Sequence, residues 1–167
     1  YIRANEVLIS SGSIERPLVF GNNDTPGVML SSAAKEYLKV YGVLVGKKPL
    51  IFTNNDSGYE TAIEFKKNGV DPIILDTRKD PKSEIIDEAK KLDIQIKFSH
   101  VVVAAKGYKK VKSAEVAKIS DDKNELGTLE TINCDCICVS GFWTPTIHLA
   151  SQSGNKTTFN KDIDAFV

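Results

Sequence analysis

The chain has 167 residues, 41% hydrophobic and 26% charged, a composition that fits a globular domain with a sizeable core. Its 22 basic and 22 acidic residues cancel, which argues against a nucleic-acid binder, whose footprint is a basic excess. No apolar run approaches the roughly 18 residues that a membrane-spanning helix needs, residues 1–5 (YIRAN) form no signal-peptide core, and a start at Tyr1 reads as a piece of something longer.

Residues 6–10 (EVLIS) are apolar enough for a short strand, and residues 21–27 (GNNDTPG) are dense in turn formers. Ser31 or Ser32 is placed to cap a helix. Ala34, Tyr37, Leu38 and Tyr41 give that helix one apolar face, and Gly42 stops it. A strand at 49–52 leads into a tight turn and a second helix carrying Tyr59, Ala62, Ile63 and Phe65, which ends at Asn68-Gly69. A strand at 72–75 closes on Asp76, and Asp80-Pro81 predicts a third helix with proline at its tolerated first position. Ile85, Ala89 and Leu92 are its core-facing residues. Ile94, Ile96 and Phe98 alternate with polar residues as a half-buried strand, continued by 101–105. Next come a turn at 106–108, a returning strand within 109–119, a polar loop at 121–125, and strands at 128–132 and 136–139. Residues 140–145 end the last strand, and 147–150 begin a helix. Strands alternating with helices imply right-handed parallel β-α-β units. The fold expected is α/β: a single Rossmann-like three-layer domain over 1–167, with a parallel sheet and a β-meander inserted before the last sheet strand.

Residues 50–62 (LIFTNNDSGYETA) have the outline of a dinucleotide-binding turn, in which glycines occupy the first, third and sixth loop positions. Those positions are Thr53, Asn55 and Gly58. The first glycine permits the tight turn, the second close approach of a pyrophosphate, and the third packing of helix on strand. Only the third remains. Asn55 tolerates left-handed backbone and Ser57 offers a hydroxyl, but Asp56 puts negative charge where a pyrophosphate would lie. Asp76, about 20 residues on, stands where an acidic residue can hold a ribose hydroxyl. Arg78 beside it could offset a 2′-phosphate or pair with Asp76, and the sequence does not rank the two. The candidate cofactor-binding set is Thr53, Asn55, Ser57, Gly58 and Asp76.

No catalytic constellation emerges, and no metal site. Cys134, Cys136 and Cys138 alternate, so they are expected on one strand face as packed, reduced thiols, in keeping with a cytoplasmic protein. His100 and His148 lack ligand-spaced partners and read as structural. Lys106, Lys109, Lys110, Lys112 and Lys118 read as a solvated edge, and Tyr108 and Trp143 as candidate interface anchors.

The flanks carry a resemblance. Residues 8–17 (LISSGSIERP) resemble the LxATGxxxRP segment by which the chain of two-dinucleotide-domain flavoproteins leaves the first nucleotide domain for a nested second one. CICVSGFWTPTIHLASQSG resembles the return segment. Gly12 and Gly141 lie in these segments and join the candidate cofactor-binding set on that ground. On this resemblance, 1–24 and 141–167 are connecting segments to a missing parent dinucleotide domain. NNDTPGVML, FTNNDSGY and SGFWTPT-H-LASQSG closely resemble the α subunits of heterotetrameric sarcosine oxidase, and the likeness covers nearly the whole chain. The α subunits of opine oxidase and hydrogen cyanide synthase share the RP and PGV features.

The resemblance implies a part of an oxidoreductase that demethylates sarcosine to glycine, with hydrogen peroxide and 5,10-methylenetetrahydrofolate as further products. It implies NAD in the parent α subunit, weak or absent here, with FAD and FMN elsewhere in the parent complex. It implies other sarcosine oxidase subunits as partners, chiefly β, and neither nucleic acid nor membrane. The isolated segment is expected to have no turnover. Two other readings stay open: a working NAD(P)-binding domain of a reductase, and a pure subunit-interaction module.

Overall fold

The structure is a computed structural model that describes residues 3–120, 125–154 and 156–167. In chain order its elements are β1 (Ser13–Glu15), β2 (Val28–Leu30), α1 (Ser31–Tyr41), β3 (Pro49–Thr53), α2 (Ser57–Lys67), β4 (Ile73–Asp76), α3 (Glu84–Lys91) and β5 (Gln95–Phe98). There follow β6 (His100–Lys106), β7 (Ser113–Lys118), β8 (Glu130–Asn133), β9 (Cys136–Ser140), β10 (Trp143–Pro145), α4 (His148–Gln152), β11 (Phe159–Asn160) and β12 (Ala165–Phe166). They form two compact units, Pro17–Gly141 and, separately, Tyr1–Arg16 with Phe142–Val167.

The larger unit has three layers. A parallel sheet in the order β2-β9-β3-β4-β5 is its middle. All five residues of β3 (PLIFT) and of β9 (CICVS) are buried, as strands covered on both faces must be. Alternation sends Ile51, Cys136 and Cys138 towards α1, α2 and α3, where Ala34, Tyr59, Phe65, Ile86 and Ala89 meet them. Leu50, Phe52, Ile137 and Val139 point the other way, onto Val102, Ala114 and Val116 of an antiparallel meander ordered β6-β7-β8. An exposed Lys97–Glu130 ion pair of 2.6 Å ties β5 to β8. The α/β fold with a parallel sheet and helices is as expected from the sequence; that the helices take one face and the meander the other is what the structure adds.

In the smaller unit β1 pairs antiparallel with β10, Ser13 opposite Pro145, and β11 pairs with β12. The two units divide at 16/17 and 141/142.

Several local expectations are corrected. Residues 6–10 form no strand: Val7 and Leu8 are 78% and 95% exposed, and no ladder partner satisfies their backbone. Neither serine caps α1. Leu30 is the extended flanking residue, and Ser31 is the first helical residue, fully buried. Gly42 does end that helix, at φ +64°. Helix α3 begins at Glu84 rather than Pro81, because Ser83 is still fully extended, and Glu84 and Asp87 supply the negative charge that a first turn favours. Residues 94–105 do not run as one strand. Ser99, at φ +54°, turns the chain out of the parallel sheet and into the meander. The three cysteines are free and buried, but they do not share a face. Cys136 and Cys138 pack on the helix side, while Cys134 precedes β9 and packs on the meander side. Of the expected polar loop at 121–125, residues 121–124 lie outside the described residues.

Candidate functional site

The loop after β3 lies at the C-terminal edge of the parallel sheet, where open α/β sheets carry ligands. There Thr53 replaces the glycine of the tight turn. Its side chain is fully buried; the Oγ1 donates to the Asn55 carbonyl at 2.8 Å and accepts from the Asn55 N–H at 3.1 Å. Asn55 in turn accepts the Ser57 N–H on its Oδ1 at 2.8 Å. Its Nδ2 donates to the Ser140 carbonyl at the end of β9, at 3.2 Å. The amides of Asn55 and Ser57, two of the donors that such a loop would turn towards phosphate, are thus spent on the loop's own side chains.

Gly58 is held by packing. A Cβ built on it falls 2.7 Å from Thr53 Cβ and 2.8 Å from Thr53 Oγ1. Carbon–carbon contact is comfortable at about 3.5–4.0 Å, so with threonine at 53 only glycine lets α2 lie against β3.

Asp76 ends β4 with no exposed side-chain surface. It accepts the Tyr59 hydroxyl at 2.6 Å, the Arg78 N–H at 2.9 Å and Arg78 Nη2 at 2.8 Å. The same guanidinium forms a 2.8 Å ion pair with Asp56 through Nη1. Arg78 therefore bridges the acidic residue of the loop and the acidic residue of the strand end. Burial works against its charge, but the hydrogen bonds and charges of Asp76 and Asp56 outweigh that and hold it protonated above the ordinary range. Burial, then the Asp76 hydrogen bond and charge, push the Tyr59 phenol well above its ordinary value, against an opposing effect of Arg78.

Five of the sequence-predicted residues, Thr53, Asn55, Ser57, Gly58 and Asp76, meet around this loop. Gly12 lies in the smaller unit, where its carbonyl accepts the Thr146 N–H at 2.9 Å, and Gly141 directly follows β9. Sequence reasoning missed Tyr59, which reads as one more apolar residue of a helical stripe, and Ser140, which reads as a turn residue. Of the two roles open to Arg78, the structure takes the pairing with Asp76 and adds Asp56. His100 Nδ1 lies 2.6 Å from the Phe98 carbonyl, a local structural contact. Among the described residues no group of three or more His, Cys, Asp and Glu could hold a metal, and no helix is long and apolar enough to cross a membrane.

These residues do not fit a dinucleotide bound in the family manner. Asp76, at the position where a ribose carboxylate is expected, is buried and engaged by Tyr59 and Arg78, Asp56 pairs with the same guanidinium, and a threonine stands at the first glycine position.

No family model matches the chain. It is 38% identical over 167 residues to the sarcosine oxidase subunit alpha of Rhizobium meliloti (strain 1021), spanning 99% of this chain and 16% of that protein. It is 34% identical to the same subunit of Corynebacterium sp. (strain P-1), spanning all of this chain and 17% of that protein. The chain thus covers about a sixth of these relatives. Among solved structures it resembles T. acidophilum thioredoxin reductase, with a TM-score of 0.68 and 16% identity over 90% of this chain and 47% of the reductase. At that identity the likeness shows the shared Rossmann-like fold.

Proposed function

Because the chain is a segment of the sarcosine oxidase α-subunit family, we propose that it is the nested dinucleotide-binding-type domain of such a subunit, kept as a scaffold and without a catalytic centre. The parent enzyme would oxidatively demethylate sarcosine to glycine, with peroxide and 5,10-methylenetetrahydrofolate as the other products. Its NAD would lie in the parent dinucleotide domain and its flavins elsewhere in the complex. The observation that carries the scaffold reading is the Asp56–Arg78–Asp76 bridge, which ties up the acidic residue of the loop and the acidic residue of the strand end with the protein's own cation.

The nested placement is supported by the smaller unit. Its strands β1 and β10 run side by side in opposite directions, as exit and re-entry segments would. Of its described residues only Glu15 and Ala165 are buried, while Leu8, Ile14 and Leu149 are 95%, 59% and 58% exposed. Such a unit has no core of its own, as expected of segments that pack on a parent domain.

Calorimetric titration of the purified chain with NAD, NADH and NADPH tests the scaffold reading. Silence is the expected result, and micromolar binding of any of the three would replace the scaffold with a working reductase-type domain. The same protein, incubated with sarcosine and oxygen, should release no peroxide.

A further inference from the structure

The opposite end of the sheet from the nucleotide-type loop is basic. Five lysines, Lys47, Lys48, Lys109, Lys110 and Lys112, are all exposed there. Two backbone hydrogen bonds and one shared neighbour bring the two loops together. The Cys134 N–H donates to the Lys112 carbonyl at 3.2 Å, the Asp135 N–H donates to the Lys48 carbonyl at 3.2 Å, and Val111 and Asp135 both border Gly27. None of the five lysines makes an ion pair within the described residues. The carboxylate of Asp135 accepts the N–H groups of Lys47 and Lys48 at 2.8 Å each. Asp71 is paired with Lys66, and Asp24 is the acidic residue of the neighbouring 21–27 loop.

Tyr108 stands on the tip of the β6–β7 hairpin, 92% exposed. The Lys112 N–H closes the hairpin onto the Lys106 carbonyl at 2.8 Å, and Val111 is fully buried. Gly107, at φ +152°, makes the bend, where a Cβ would come 1.9 Å from the Lys110 carbonyl oxygen. An exposed aromatic in a run of exposed lysines has the composition of an interface, with tyrosine as anchor and charge at the rim.

From this we infer that the Tyr108 hairpin and the Lys47–Lys48 turn form a docking surface for a carboxylate-rich patch on a partner subunit. A protein is favoured over nucleic acid because the chain has no net charge, where a nucleic-acid binder carries a basic excess. The inference rests on the reading of the chain as part of a multi-subunit oxidase.

The test uses the full α subunit assembled with its partner subunits. A photo-reactive phenylalanine analogue at Tyr108 should cross-link to an Asp/Glu-rich peptide of a partner subunit. The triple variant Lys109→Glu/Lys110→Glu/Lys112→Glu should weaken assembly by about tenfold or more at low salt, and by less at about 0.5 M salt, while the subunit's own unfolding curve stays put. A cross-link confined to the α subunit, a variant that assembles like the wild type, or capture by phosphatidylserine vesicles or RNA in place of the subunit would each overturn the inference. Sarcosine-dependent peroxide from the assembled wild type tests the underlying reading separately. An α subunit that joins no assembly overturns both.

Discussion

Substituting Gly58 with alanine should destabilise the protein, and substituting Thr53 with glycine should remove most of that cost. The new methyl would lie 2.7 Å from Thr53 Cβ, 2.8 Å from Oγ1 and 3.0 Å from Cγ2. Relief requires α2 to lift from β3 by most of an ångström, at a cost of about 1–3 kcal/mol for overpacking. The helix preference of alanine over glycine returns up to about 1 kcal/mol, so at the middle of that range, about 2 kcal/mol, the net loss is about 1 kcal/mol. Thr53→Gly alone loses both Asn55 hydrogen bonds and strand preference, about 2 kcal/mol in all. In the double variant the collision is absent, so the two effects should fall short of additivity by the collision cost, about 1–3 kcal/mol. Urea unfolding of the whole chain, followed by circular dichroism, measures each midpoint, and thermal midpoints should move by about 2–4 °C per kcal/mol at this size. If Gly58→Ala equals or exceeds the wild type, or costs the same in the Thr53→Gly background, packing is not what keeps this glycine.

The charge bridge predicts unequal effects for its two acids. Asp76→Asn should cost about 3 kcal/mol, since it strips a buried partner from Arg78, whereas Asp56→Asn, at a side chain 44% exposed, should cost less than about 1 kcal/mol; equal costs in urea unfolding would reject the arrangement. Tyr59→Phe should cost about 1 kcal/mol, and should cost nothing further in an Asp76→Ala background. Burial, helped by Cys136 and Asp135, pushes the Cys134 thiol up to about 12, above its unfolded value. The unfolded chain therefore loses this proton first, so Cys134 contributes a decline in stability as pH rises from about 8.5 towards 12. Cys134→Ala should flatten that part of the stability–pH curve, and an unchanged slope would count against it. Gly107→Ala should cost about 2–3 kcal/mol through the hairpin bend, seen as a lower thermal midpoint.

Periodicity located the helices of the larger unit because each buries one face against a neighbour, while β3 and β9, buried on both faces, are legible as short apolar runs. Ala34 and Tyr59 on the helices and Ile51 and Phe52 on β3 sit where that rule places them. It failed where a residue's role depends on something distant in the chain. Residues 6–10 look like a strand and have no partner. Cys134 keeps the alternation of Cys136 and Cys138, but the strand starts after it.

The candidate loop divides in the same way. The amino-acid order by itself determined that two fingerprint glycines are replaced, that Gly58 remains, and that acidic residues stand at 56 and 76. Those facts weaken a phosphate site on any fold. Only the tertiary structure decided that Arg78 turns to both acids, that Tyr59 closes on Asp76 from α2, and that Ser140 of β9 holds Asn55. The physical reason is that hydrogen bonds and ion pairs act over about 3 Å. Which groups come within that reach is set by the stacking of strands far apart in sequence, and no local pattern encodes it.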